Sequence, residues 1–183
     1  MRLLRNYLCL LCVLCGGAFA SGCGYTLAGR GSTLPVTIKT IGVPLFTNRT
    51  TVFNLETTLT MKVRSEFIGR GKWVIVPEET GVDGLLTGEV TAVTIQPASI
   101  NANQLASRYA ITMVARVELR DTMTNMVLWD NPSLVFRQEY DATGTSTTGA
   151  VDPSAYFGQN TDALERLSTE FAKSIVSAIL EAF

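Results

Sequence analysis

The run Arg108-Tyr109-Ala110-Ile111-Thr112-Met113-Val114-Ala115-Arg116-Val117-Glu118-Leu119-Arg120 decides the fold class. Tyr109, Ile111, Met113, Ala115, Val117 and Leu119 occupy every second position, with Arg108, Thr112, Arg116, Glu118 and Arg120 among the alternate ones. Successive side chains of a strand point to opposite faces, so the run predicts a strand with one apolar and one mostly polar face. That is the pattern of an antiparallel sheet covered on a single side. Residues 121–125 supply a turn, and 127–140 return as a second strand interrupted at Asn131 and Pro132.

Working outward, residues 85–95 read as a long strand whose apolar phase shifts between Ala92 and Val93, which predicts a bulge, and 97–105 as a polar loop. Leu55, Leu59, Val63 and Phe67 recur every four residues, the face of an amphipathic helix with Asn54 as N-cap and Gly69 and Gly71 as its stop. Residues 73–76 form a short strand and 77–81 a turn. Residues 36–46 are rich in β-branched and apolar side chains and predict a buried strand, with Pro44 placing its end at a sheet edge. Residues 141–160 lack Lys and Arg, are dominated by Thr, Gly, Ser and Asp, and read as a long loop. A final helix over 162–182 carries the stripe Leu164, Leu167, Phe171, Ile175 and Ile179, with Asp162 and Glu165 spaced as a capping box. Two amphipathic helices need a surface and a one-sided sheet needs a cover. The expected fold is therefore α+β, a two-layer sandwich with both helices on one face of a mostly antiparallel sheet of four to five strands.

The N-terminus carries an address. Arg2 and Arg5, an apolar run from Leu8 to Leu14, and the small residues Ala18, Ala20, Ser21 and Gly22 have the three parts of a signal peptide, expected over 1–22. The apolar run is short of the roughly 20 residues a spanning helix needs. Ala20-Ser21-Gly22-Cys23 resembles a bacterial lipobox, making Cys23 the expected site of lipidation, diacylated and N-acylated with palmitate-like chains. More than one chain is the condition for stable anchoring. Cys9, Cys12 and Cys15 lie in the segment to be removed, leaving one mature cysteine and no internal disulfide. Gly24 rather than aspartate after the cysteine points to the outer membrane, facing the periplasm. Residues 23–35 are read as a lipidated tether and 36–183 as a single domain. Removing Arg2 and Arg5 from the 15 basic residues leaves 13 against 16 acidic ones, no basis for a nucleic-acid partner.

The chain has no histidine, which removes the usual triads and most zinc sites. Neither a cofactor nor a catalytic or metal-binding residue is expected. Glu78 and Glu79, Glu118 and Asp121, and Glu139 and Asp141 are acids at element ends, read as solvated charge. Gly69, Gly71, Gly81, Gly84 and Gly88 match no phosphate-binding fingerprint and are read as helix stops and turns. Trp73 and Trp129 sit in strand-like runs and are assigned to the core. Basic residues on the polar sheet face could meet phosphorylated sugar head groups, since a guanidinium fork matches phosphate oxygens.

Cys23-Gly24-Tyr25-Thr26-Leu27, the strand from Ile38 to Phe46, Asn48-Arg49-Thr50, the helix with Leu55 and Glu56, the 88–94 and 109–119 strands with Asp121-Thr122, the return Val127-Leu128-Trp129, Tyr140 and the last helix together resemble the LptE family of lipopolysaccharide-assembly lipoproteins. The resemblance implies two helices on a sheet of four or five strands and a non-enzymatic role as a plug inside the β-barrel protein LptD. It also implies stabilisation of that barrel and lipopolysaccharide binding during insertion into the outer leaflet. Family members carry basic residues in loops near the sheet edge, and here the 97–105 and 141–160 loops lack them. Arg108, Arg120 and Arg137, on or beside the exposed sheet face, are the candidates for lipopolysaccharide contact. Two other readings stay open: a pilot lipoprotein for another outer-membrane complex such as a secretin, and an enzyme using paired carboxylates.

Overall fold

The computed structural model describes residues 34–102, 105–141 and 151–183. Six strands and three helices follow one another as β1 (Thr40–Gly42), β2 (Thr47–Asn48), α1 (Leu55–Gly69), β3 (Val74–Val76), β4 (Gly84–Ile100), β5 (Ala106–Asp121), β6 (Val127–Asp141), α2 (Pro153–Gln159) and α3 (Thr161–Glu181). They form an α+β fold in which the helices pack on one sheet, as the alternation in β5 predicts.

The sheet is mixed and has more strands than expected. β4, β5 and β6 pair antiparallel along nearly their full lengths, in the order β3-β1-β4-β5-β6. β1 pairs parallel with both β3 and β4, and β2 pairs parallel with β4 further along. Parallel neighbours need a crossover, and α1 supplies it between β1 and β3. The 36–46 segment is thus two short strands rather than one. β1 is interior, and the buried Pro44 sits in the link between β1 and β2, not at a sheet edge. Proline has no N–H to give a ladder, so pairing lapses there.

The apolar row of β5 is fully covered: Ile111, Met113, Val117 and Leu119 are 0% exposed. The expected bulge in β4 falls at Val90/Ala92, slightly before the expected place, and it moves the inward row from Leu86 and Val90 to Val93 and Ile95. A second register shift opposite Ala115/Val117 takes up Pro132 and Ser133, so β6 continues through its interruption. Gly84 and Gly88 lie inside β4 rather than in turns, whereas Gly71 and Gly81 have φ of +68° and +75° and do turn the chain.

The helices bury the predicted stripes. Leu55, Leu59, Val63 and Phe67 of α1 face Leu167, Phe171, Ile175 and Ile179 of α3 and the sheet, all 0% exposed. Each such side chain contributes about 1.5–3 kcal/mol by leaving water. The caps differ from expectation. Asn54 stands at the N-cap of α1 with φ 60° and no side-chain bond, and the N-cap of α3 is Asn160, so no Asp162/Glu165 capping box forms. The 141–160 segment contains α2, which Asp152 caps by accepting from Ala155 N at 3.0 Å, with Pro153 in its first turn. Residues 142–150 of that segment, Cys23 and the tether up to residue 33 lie outside the described residues.

Candidate functional site

Where β5 begins and β6 ends, the sheet meets the α2–α3 corner around a cleft of about 510 Å³. Its floor follows from strand register. Tyr109 pairs with Tyr140 on the inward row, and Arg108 with Asp141 on the outward one. The Arg108 Nε reaches Asp141 Oδ1 at 3.2 Å, an exposed pair of little energetic weight. Tyr156 of α2 meets Tyr109 edge to face at 5.8 Å between centroids and Phe157 at 5.4 Å, which fixes the short helix against the sheet.

Arg166, on the first turns of α3, places its guanidinium 5.0 Å from the Tyr140 ring centroid. Tyr140 is 7% exposed, and its hydroxyl has no hydrogen-bond partner among the described residues. Burial raises the pKa of Tyr140 above its ordinary value, and burial does the same to Tyr156. Both phenols stay protonated. Glu139, Asp141 and Asp162 line the same cleft as acceptors. Aromatic faces, two guanidinium groups and carboxylates suit a polar, ring-bearing ligand such as a glycan carrying phosphate. Among the described residues no group of three acids or cysteines could hold a metal.

The three arginines singled out from sequence do not converge. Arg108 lines the cleft. Arg137 stands opposite Thr112 on the outward face, four residues from Arg108's row, or roughly 13 Å along the strand. Arg120 is twelve residues from Arg108, roughly 40 Å away. Its guanidinium is committed to Glu118 at 2.5 Å and to Asn125 Oδ1 at 3.2 Å, bracing the β5–β6 turn. Arg166 is the cleft residue that sequence reasoning missed. It flanks the apolar stripe of α3 like any solvated residue, and only the packing of α3 beside β6 brings it over Tyr140.

The exposed face of β4–β6 carries charge of both signs. Glu89 pairs with Arg49 at 2.6 Å and stands opposite Arg116, while Glu118 stands opposite Asp130. No helix among the described residues is long and apolar enough to cross a membrane.

Among solved structures, a hypothetical protein from Chlamydia trachomatis shares the fold, with a TM-score of 0.51 and 12% identity over 78% of this chain and 95% of that one. Rare lipoprotein B from Shewanella oneidensis aligns with a TM-score of 0.47 and 11% identity, over 77% of this chain and 93% of that one. The lipoprotein GNA1162 from Neisseria meningitidis aligns with a TM-score of 0.41 and 14% identity, over 70% and 96%. No curated protein sequence matches the chain significantly. The family model for LptE, lipopolysaccharide-assembly, matches residues 38–179, from the approach to β1 to the last turn of α3. The chain belongs to the LptE lipopolysaccharide-assembly family.

Proposed function

We propose that this chain is an outer-membrane lipoprotein, acylated at Cys23, that fills and stabilises an LptD-type β-barrel and assists insertion of lipopolysaccharide into the outer leaflet. The observation that carries the reading is the family match over residues 38–179. The fold supports it physically. The interior of a wide outer-membrane barrel is polar, and this domain turns a broad sheet face of mixed charge outward while its core apolar residues are buried between the sheet and the helices.

The role is non-enzymatic and needs no cofactor beyond the covalent lipid. A carboxyl acting as general acid needs a dry, apolar setting to hold its proton. Glu139, Asp141 and Asp162 are exposed, and Asp141 is tied to Arg108. Head-group phosphates and sugars of lipopolysaccharide are assigned to the cleft, through Arg108 and Arg166, with Arg137 on the approach.

Affinity purification of the tagged full-length protein from outer membranes tests this. Co-purification of a large LptD-type barrel, and loss of that barrel's resistance to unfolding when the lipoprotein is depleted, are the expected results. Recovery of a secretin ring with no such barrel would replace the reading with that of a pilot protein.

A further inference from the structure

The end of the sheet opposite the cleft is knotted around Asp83. Its carboxylate accepts from Lys39 N at 2.9 Å and Thr40 N at 2.8 Å, and its carbonyl accepts from Thr122 N at 2.9 Å. Lys39 O in turn accepts from Val74 N at 2.9 Å. These bonds bring three separate segments to one end: the turn over 35–38, the start of β3, and the β5–β6 hairpin tip. Each presents apolar side chains to solvent. Val36 is 90% exposed, Val74 62%, Met123 84%, Met126 61% and Val127 42%. Scattered exposed apolar residues are ordinary, but a gathering at one end of a domain marks a contact surface.

We propose that this end of the domain rests on the lipid bilayer, with Val36, Val74, Met123, Met126 and Val127 in the interfacial region. The proposal builds on lipidation of Cys23. Leu34, where the described chain begins, is buried beside this apolar end and lies eleven positions after Cys23. Eleven residues reach at most about 40 Å, so an acylated Cys23 keeps this end, more than the cleft end, close to the membrane surface. The neighbouring residues have interfacial chemistry. Trp73 packs edge to face on Phe67 at 6.2 Å, and the exposed Lys72 places its ammonium 6.0 Å from the Trp73 ring. Tryptophan favours the head-group level, and Lys39 and Lys72 supply positive charge for anionic head groups. A second copy of the chain or a partner protein would cover the same residues without lipid contact, and the test separates these cases.

The probe is the full-length, membrane-extracted protein carrying Trp129→Phe, which leaves Trp73 as the only one of the two tryptophans. It is reconstituted into phosphatidylethanolamine–phosphatidylglycerol vesicles whose acyl chains carry bromine. We expect Trp73 emission to shift to the blue and to be quenched. Val36→Ser, Met123→Ser and Met126→Ser combined should remove most of the quenching, and Ile100→Ser with Leu105→Ser at the far end should leave it unchanged. All five positions are exposed, so the fold should tolerate these changes. Mass spectrometry of Cys23 separates the two ideas. An acylated protein that floats with its vesicles while Trp73 stays unquenched overturns the bilayer contact and leaves the anchor standing. The contact is equally overturned if Trp73 becomes shielded only on self-association or on adding the barrel. An unmodified Cys23 removes the anchor, and the bilayer contact then survives only if Trp73 is still quenched.

Discussion

The ring of Phe46 lies against Gly88: a Cβ built on Gly88 would stand 2.4 Å from the ring Cε2, 2.5 Å from Cδ2 and 2.7 Å from Cζ. Gly88 sits between Leu86 and Val90 on the inward row of β4, so the missing side chain is the space the ring fills. Phe46 cannot easily withdraw, because it is 2% exposed and its amide is held by Thr60 Oγ1 at 3.0 Å. Gly88→Ala should therefore destabilise the domain by about 1–3 kcal/mol through overpacking. Phe46→Leu in the same chain should recover part of that loss, which a double-mutant cycle in urea measures. Additive effects in that cycle would mean that the two residues do not press on one another.

Such a contact shows where sequence reading stops. β5 and α3 are legible because their apolar residues repeat at periods of two and 3.6 over many turns, and the bulge in β4 announces itself as a slip in that period. β1, β2 and β3 have two or three residues each, too few for a period, and their parallel pairing follows from α1 crossing over rather than from their composition. Gly88 reads as a turn because nothing local says that an aromatic ring forty residues earlier will occupy its missing side chain. Asp152-Pro153 is a helix-start signal, but α2 is only seven residues long within a polar stretch. The candidate site suffers most. Arg108 is visible as a charge on the polar face, whereas Arg166 gains its position solely from the packing of α3.

Tyr140→Phe should separate stability from binding. The ring that Arg166 covers is kept, and only a buried hydroxyl with no partner among the described residues is removed. Deleting an unsatisfied buried group is neutral or stabilises by about 1 kcal/mol. Lipopolysaccharide affinity should stay unchanged, because the hydroxyl is buried beneath the cleft surface and does not face a ligand there. Thermal melting and a binding assay on the same preparation check both halves. A lower melting temperature would show that the hydroxyl is already used within the fold.

Asp83 should make the domain acid-sensitive. Hydrogen bonds from the Thr40 and Lys39 amides lower its pKa below the ordinary aspartate value, and Asp121 is lowered likewise by the Thr124 and Met123 amides that it holds in the hairpin turn. A carboxylate with a depressed folded-state pKa contributes stability above its unfolded pKa of about 4, and loses it as pH falls through the folded value. The melting temperature should be flat from neutral pH down to the ordinary aspartate range and then decline. Asp83→Asn keeps an acceptor but removes the charge. It should lower the neutral-pH melting temperature and flatten the acid limb. An acid limb identical to that of the parent would mean that Asp83 does not report this linkage.

Three arginines make the sharpest comparison for the cleft. Arg108 and Arg166 flank one cavity, whereas Arg120 lies roughly 40 Å along β5 with its guanidinium committed to Glu118 and Asn125. A hydrogen bond to a charged group is worth about 1.5–3 kcal/mol, and about 1.4 kcal/mol is tenfold in affinity. Arg108→Ala and Arg166→Ala should thus each weaken lipopolysaccharide binding by about tenfold or more. Arg120→Ala should leave affinity unchanged and touch only the stability of the hairpin turn, by less than about 1 kcal/mol for a half-exposed pair. Dephosphorylated lipid A sorts the contributions further. If the guanidinium groups meet phosphate, the dephosphorylated lipid should bind the parent weakly and be indifferent to Arg108→Ala. Equal affinity for both lipids would leave the arginines facing sugar hydroxyls instead, and a loss with Arg120→Ala matching that with Arg166→Ala would move the binding surface from the cleft to the open sheet.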